Sequence, residues 1–355
     1  MMREGVQSDT YFQRLSQAAP GARLQHLITG YWVSAAIGVA AELGIADLLA
    51  DGPHASTDLA TAAGTHPSAL SRLLRTLASV GLFSEVEPGR FALTEMGALL
   101  QKDHPESLYG YTRYACGDRE WCRFGDLRHS VETGQPAQHH VFGVSGHAYW
   151  VQHPEERAIF DAAMRSMVAQ VMGAVVSAYD FSKFRTVVDV GGGHGALLTA
   201  ILGVTPRLRG ILLDLPEVAE GAKPHLAAAG VLDRCEVVGG DMFTEVPGGG
   251  DAYVFSRVIH DWDDERAAAA LASCRRAMGP AGQLLLIEEV IPPGDTPAYG
   301  KLSDLNMLVG PGGQERTEAE YRALYTAAGF ELTQVISTRS RMSIIVGVPR
   351  EARDA

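Results

Sequence analysis

Cysteine is scarce: Cys116, Cys122, Cys235 and Cys274 form no CxxC pair and are too few to staple 355 residues, which excludes a disulfide scaffold. They read as reduced thiols of a cytoplasmic protein. Positive charge is also in deficit, with Lys+Arg 30 against Asp+Glu 42 and a formal net charge of −12, so the surface repels nucleic-acid phosphates and anionic lipid. No nucleic-acid or membrane partner is expected. The opening MMREGVQSDTYFQRLSQ lacks the apolar core and small-residue cleavage site of a secretory leader. Only the stretch 30–50 approaches the length of a membrane span, about 20 residues. Glu42 and Asp47 interrupt it and Gly38 and Gly44 lie inside, so it reads as a buried or dimer-forming helix. No His/Cys cluster with metal-ligand spacing is evident along the chain, and no metal is expected.

What is present describes a folded enzyme-sized chain, 46% hydrophobic and 20% charged, long enough for two domains. The pattern from 24 to 100 is helical and Ala/Leu-rich, and TDLATAAGTHPSALSRLLRTLASVGLF followed by EVEPGRFALTEMG predicts helix, turn, helix and a hairpin turning at 87–89. This is a winged-helix outline. As a DNA reader it would need a basic recognition helix, yet only Arg72 and Arg75 are offered there, and between 55 and 95 three arginines face four acids. Residues 1–103 therefore read as a packing and dimerisation module. Residues 104–180, mixed helix and loop with many aromatics and methionines, suit the wall of an apolar cavity. From 181 to 350, apolar strand-length runs alternate with helical segments, the sign of a parallel sheet covered by helices.

The run TVVDVGGGHGALLTAIL (186–202) reads as strand, glycine turn and helix, a place where a ligand can approach bare backbone and free amides. Gly191, Gly193 and Ala196 satisfy a dinucleotide pattern, so a nicotinamide enzyme is a rival. Three carboxylates alter the balance: Asp189 before the turn, and Asp214 and Asp241 at the ends of the next strands. Acids converging there would repel a pyrophosphate and suit an ammonium, a ribose diol and an adenine amino group. The expected ligand is S-adenosyl-methionine, with Asp214 on the ribose, Asp241, Met242 and Phe243 at the adenine, and 191–195 under the amino-acid part.

After the fourth strand stands SRVIHDWDDE (256–265), where His260 is placed over the crevice with Glu288 and Glu315 available to orient it. At this point the chain resembles the plant caffeic-acid/flavonoid type of O-methyltransferase and its bacterial relatives acting on polyketides and phenazines. DVGGGHG, LDLPEV, GGDMF, HDWDD, the IEE strand end and GPGGQERT carry the likeness through about 180 C-terminal residues, in family order and spacing. The resemblance implies an α/β architecture: a C-terminal Rossmann-like class I methyltransferase domain behind an N-terminal, mainly α-helical winged-helix dimerisation domain. It implies His260 as general base flanked by Glu288 and Glu315, and a homodimer with interlocked N-terminal helices. The cofactor set expected is Asp189, Gly191, Gly193, Asp214, Leu215, Gly240, Asp241, Met242, Phe243, Ser256 and Arg257. Ser256 departs from the lysine that the plant enzymes carry, with Arg257 beside it as a substitute. Trp150, Phe160, Met164, Asp261 and Met307 are expected at the substrate. The implied reaction is methylation of a hydroxyl on a small aromatic compound. Its rivals are a relative using the same cofactor for hydroxylation or decarboxylation, and a winged-helix regulator that binds a small ligand.

Overall fold

The computed structural model describes residues 15–144 and 146–350, so the leader reading of the first residues lies outside the described ones. The chain divides into two compact units, Met1–Trp121 with His153–Met167, and Cys122–Gln152 with Val168–Ala355. No helix among the described residues is long and apolar enough to cross a membrane.

The first unit begins with helices α1 (Pro20–Ile28) and α2 (Gly30–Glu42). Two further helices, α3 (Ser56–Ala62) and α4 (Pro67–Ser79), stand beside a small antiparallel sheet of β1 (His54–Ala55), β2 (Phe83–Glu87) and β3 (Arg90–Leu93) in the order β1-β3-β2. Pro67 opens α4, where a missing N–H costs nothing. Leu70, Leu74 and Leu77 then recur at helical spacing and bury against Ile45, Leu59, Phe83 and Phe91, while Arg72 and Arg75 stay exposed. Gly89, at φ 74, closes the hairpin and donates its N–H to Glu85 Oε1 at 2.7 Å. The winged-helix outline is thus present as built structure.

Residues 104–180, expected as mixed helix and loop, are a run of helices joined by short turns and loops, with 104–108 non-helical. They include α5 (Leu127–Thr133), α6 (Ala137–Phe142), α7 (Gly146–Gln152) and the 25-residue α8 (Pro154–Ala178).

In the second unit the strands are β4 (Thr186–Val190), β5 (Arg209–Asp214), β6 (Cys235–Gly239), β7 (Ala252–Ser256), β8 (Gln283–Glu288), a two-residue parallel pair β9 (Val290–Ile291) and β10 (Arg316–Thr317), and then β11 (Phe330–Ser337) and β12 (Ser343–Pro349). The main sheet runs β11-β12-β8-β7-β4-β5-β6. Helices α9 (Ala196–Val204), α10 (Pro216–Ala228), α11 (Asp264–Ala277), α12 (Tyr299–Val309) and α13 (Glu318–Ala327) lie between strands in the chain. The central strands are apolar on both faces, with Val187, Val188, Val254, Phe255, Leu285 and Ile287 all fully buried, as a covered parallel sheet requires. One departure from an all-parallel reading is the last pair: β11 and β12 are antiparallel, and so are β12 and β8. The link 338–342 is too short for a crossover, so β12 must turn straight back on β11. Strand order reverses between β4 and β7, which opens a crevice beyond their C-terminal ends.

Candidate active site

The loops leaving β4, β5, β6 and β7 line the crevice. Gly191, Gly193 and Gly195 all hold left-handed φ values of 69, 56 and 80. A Cβ at Gly191 would press on Val258 and one at Gly195 on Leu226, so packing and conformation both demand glycine there. Asp214 stabilises this turn directly: Gly193 N–H donates to its Oδ2 at 2.8 Å and Leu215 N–H to its Oδ1 at 2.7 Å. Gly240 N–H donates to the Asp214 carbonyl, and Phe243 N–H to Asp241 Oδ1 at 2.9 Å, so Asp241 folds the loop that presents Met242 and Phe243. Asp189 is different from the other two acids. It is 1% exposed and lies under Gly192, with Oδ2 lacking a partner. Burial first, and Asp214 second, push its carboxyl up to about 7.

Next to the crevice, β7 ends at Ser256, and Arg257 follows with φ 55, the one non-glycine left-handed residue among those described. That strained residue turns the chain into a tight helical turn over Ile259–Asp261, which delivers His260. His260 is 5% exposed. Its Nδ1 bonds to Glu315 Oε1 at 3.1 Å, and Glu288 Oε2 lies 3.7 Å from the same nitrogen. The other ring nitrogen, Nε2, has Asp261 Oδ1 at 3.7 Å. Glu288 does a second job: its Oε1 accepts the N–H groups of Val258 and Ile259 at 3.0 and 2.9 Å and so fixes the turn.

Electrostatically the three groups act as one. Burial pushes His260 down, but Glu288, then Asp261 and Glu315, outweigh it and bring the imidazole up to about 9. Burial raises Glu288 to about 7 against the pull of His260. Burial would raise Glu315 too, yet the His260 hydrogen bond and charge, with Ser303 and Arg257 helping, leave it lowered. Arg257 thus directs its charge at Glu315, Glu289 and Asp261, on the side of His260. Donor atoms of His260, Glu288 and Glu315 lie within 4.8 Å of one another, a metal-like grouping hidden from linear spacing. Glu288 Oε1 is committed to the Val258 and Ile259 amides and Glu315 Oε1 to His260 and Ser303, while the second oxygen of each carboxylate is buried without a hydrogen-bond partner.

Three contributors escaped the sequence reading. Arg316, fully buried, donates Nη1 to the Ile259 carbonyl at 3.2 Å, Nη2 to the Trp262 carbonyl at 2.8 Å and Nε to Asp264 at 2.9 Å, so it clamps the turn from both ends. Ser303 on α12 donates to Glu315 Oε1 at 2.7 Å. Trp262 meets Phe243 edge-on at 4.9 Å, with the Arg266 guanidinium over both rings. Arg316 and Trp262 stand inside the motifs QERT and HDWDD, which was the available signal; Ser303 had none. Among the substrate expectations, Met307 is buried on α12, and Trp150 on α7 packs edge-on to Tyr149 at 5.5 Å. Phe160 and Met164 belong to the first unit, where Phe160 contacts Tyr114 at 5.4 Å.

A seven-stranded sheet of this order, with acids at successive strand ends around a glycine turn, is the class I methyltransferase fold. Residues 124–331 match the O-methyltransferase domain and 25–103 the O-methyltransferase dimerisation domain, and the chain belongs to that family. It is 47% identical over 326 residues to phenazine O-methyltransferase PhzM of Lysobacter antibioticus, covering 92% of this chain and 95% of that one. The crystal structure of LaPhzM is similar with a TM-score of 0.87 and 46% identity over 94% of this chain and 100% of that chain. NcsB1, an O-methyltransferase from neocarzinostatin biosynthesis, is similar with a TM-score of 0.77 and 36% identity over 89% of this chain and 95% of its own. That structure is a complex with S-adenosylmethionine and 2-hydroxy-5-methyl naphthoic acid. This chain is an S-adenosyl-methionine-dependent O-methyltransferase of the bacterial natural-product branch.

Proposed function

We propose that the enzyme methylates a phenolic hydroxyl of a small fused-ring or single-ring aromatic compound, an antibiotic-type metabolite, with His260 Nε2 taking the hydroxyl proton. The observation that carries this reading is the arrangement of one buried imidazole with Nδ1 held by Glu315 and Nε2 left for the acceptor. The arrangement favours transmethylation over hydroxylation or decarboxylation, because a base next to the crevice serves to deprotonate a hydroxyl nucleophile.

The residues suit the cofactor. Asp214 and Asp241 offer acceptors to hydroxyl and amino groups, the residues 191–195 expose backbone, and Phe243 with Trp262 offers flat apolar faces to a purine. When bound, S-adenosyl-methionine supplies an electrophilic methyl on a positive sulfur. Asp189, beneath the turn, adds negative potential there once ionised. A free phenol has pKa ~10 and is a weak nucleophile until deprotonated, so His260 must accept the proton as the oxygen attacks. Glu315 fixes the tautomer and stabilises the imidazolium formed; Glu288 keeps the turn in register. Trp150 and Met307 supply apolar surface for the acceptor. Exposed Leu27, Ile28, Tyr31 and Trp32 on α1 and α2, at 75, 63, 55 and 60%, support a homodimer formed through this region. Four free thiols support a cytoplasmic setting.

The test is a methylation screen over hydroxylated phenazines, naphthoates, flavonoids and simple phenols, read by mass. Methyl gain at a phenolic oxygen, lost in His260→Ala, is expected. Methylation confined to amines or carboxylates would overturn the acceptor assignment.

A further inference from the structure

Away from the crevice and the base, α5, α6 and the segment 310–311 border a depression of about 560 Å³. His129, Gln138, His140, Gly310 and Pro311 are among its lining residues. Three potential ligands gather at its edge. Asp126 precedes α5, and its carboxylate does not cap that helix; Oδ2 meets His140 Nδ1 at 2.6 Å instead. The His129 ring stacks on His140 with centroids 3.9 Å apart and planes 7° from parallel. One donor atom from each of the three residues lies within 4.8 Å of the others.

The frame is built before any ligand arrives. Ala137 N–H donates to buried Ser130 Oγ at 2.9 Å, tying α6 to α5, and left-handed Gly134 closes the connection. Gln138, 1% exposed, has neither amide atom partnered although it lines the depression. A buried amide in that state calls for a hydrogen-bonding guest such as an ordered water.

We propose that Asp126, His129 and His140 form a binding site for a divalent transition-metal ion of the zinc type. Two imidazoles and one carboxylate select zinc, cobalt or nickel over magnesium and calcium, which prefer oxygen alone. Metal–ligand distances of about 2.0–2.2 Å require the donors to draw closer than they stand now. Side-chain rotation suffices, since His140 is 57% and Asp126 30% exposed. As the ion enters, the proton bridging His140 and Asp126 leaves, because only a deprotonated ring nitrogen ligates. Three protein ligands leave a fourth position for water, and Gln138 is available to hold that water. The ion would pin α5 to α6 beside 310–311, in the loop that runs on to Glu315.

To test this, the full-length chain is stripped with a chelator, freed of it, and titrated with zinc chloride, using cobalt(II) as the spectroscopic probe. One ion per chain and the visible bands of tetrahedral cobalt are expected. In His129→Gln and in His140→Gln the Kd should rise at least tenfold, about 1.4 kcal/mol. His260→Gln should bind as wild type does. Circular dichroism and cofactor binding of each variant separate a lost site from a lost fold. No saturable uptake by the wild type, uptake unchanged in the His129→Gln/His140→Gln double variant, or uptake abolished by His260→Gln alone would each overturn the proposal.

Discussion

His260 answers to opposing forces, and their balance sets how the enzyme responds to pH. With the imidazole pushed up to about 9 by Glu288, Asp261 and Glu315 in spite of burial, the free enzyme is an imidazolium at neutral pH. An imidazolium cannot accept a proton, so kcat/KM should climb with pH and level off near 9. Bound cofactor adds a positive sulfur that opposes a second cation, and the kcat profile should therefore level at lower pH than kcat/KM. Initial rates across pH read both, and a kcat/KM plateau already reached at neutral pH would contradict this charge balance. Glu315→Gln should shift the midpoint downward by about one unit, and His260→Ala should lower turnover ~10²–10⁴-fold with cofactor affinity kept. The stability linkage has a definite sign. His260 is raised on folding from 6.5, so its contribution is full below 6.5 and is lost as pH rises through about 9. Asp189 is likewise raised, from 3.8 to about 7, and its contribution is full below 3.8 and gone above about 7. Asp189→Asn should accordingly raise the melting temperature of the cofactor-free protein at mildly alkaline pH by ~2 °C or more, with no gain in acid. Equal shifts at both pH values would remove the charge argument.

At the scale of elements, the turn that carries His260 is held by a segment remote in sequence. Gln314 N–H donates to the His260 carbonyl at 2.9 Å, Arg316 ties down the carbonyls on either side, and a Cβ on Gly313 would strike the backbone of His260 and Asp261. Gly313→Ala must therefore displace the turn and should cut kcat at least tenfold, ~1.4 kcal/mol of transition-state stabilisation. Cofactor affinity, set on the far side of the crevice, should persist. A kcat close to wild type in a folded Gly313→Ala protein would show that the clamp has no hold on the base. Arg316→Met removes four charge-assisted hydrogen bonds, to Asp264 and to the Ile259, Gln314 and Trp262 carbonyls, and should destabilise by at least ~2 kcal/mol in denaturant unfolding. This coupling shows where sequence reading stops. HDWDD and GPGGQERT were visible as motifs, because glycines, acids and a histidine at strand ends carry chemistry on their face. That Arg316 reaches back to Ile259 and Trp262, or Ser303 to Glu315, depends on tertiary packing and leaves no periodic trace. Helices α5 to α8 were obscure for a related reason: their aromatics and methionines follow no clean apolar stripe, and packing overrides local preference.

At the scale of the molecule, charge and exposed apolar surface sort the chain's partners by chemistry. The winged-helix portion was legible from helix starts, Leu spacing and the Pro88-Gly89 turn, and Arg72 and Arg75 are exposed on α4 as a DNA reader would need. Two arginines against a net charge of −12 cannot supply a phosphate-binding face, however, and no salt-dependent gel shift is expected. Another partner is indicated by α1 and α2, where Leu24, Leu27, Ile28, Tyr31 and Trp32 are 55–75% exposed within one short stretch. Scattered apolar side chains are ordinary on a surface, but a contiguous set of this size is costly in water, roughly 25 cal/mol for each Å² left uncovered. The dimerisation-domain match over 25–103 includes most of these residues, and the homodimer proposed above would cover them with a second copy of the chain. Light scattering should return twice the 38.0 kDa chain mass. Leu27→Glu with Trp32→Glu places two like charges on that surface in each copy, so a symmetric pairing would set four carboxylates against apolar partners. The double variant should run as a monomer with reduced thermal stability. Both forms should be compared at equal protein concentration, since a dimer's melting temperature depends on it. A wild-type chain that scatters as a monomer at micromolar concentration, or a double variant that remains dimeric, would move the interface elsewhere.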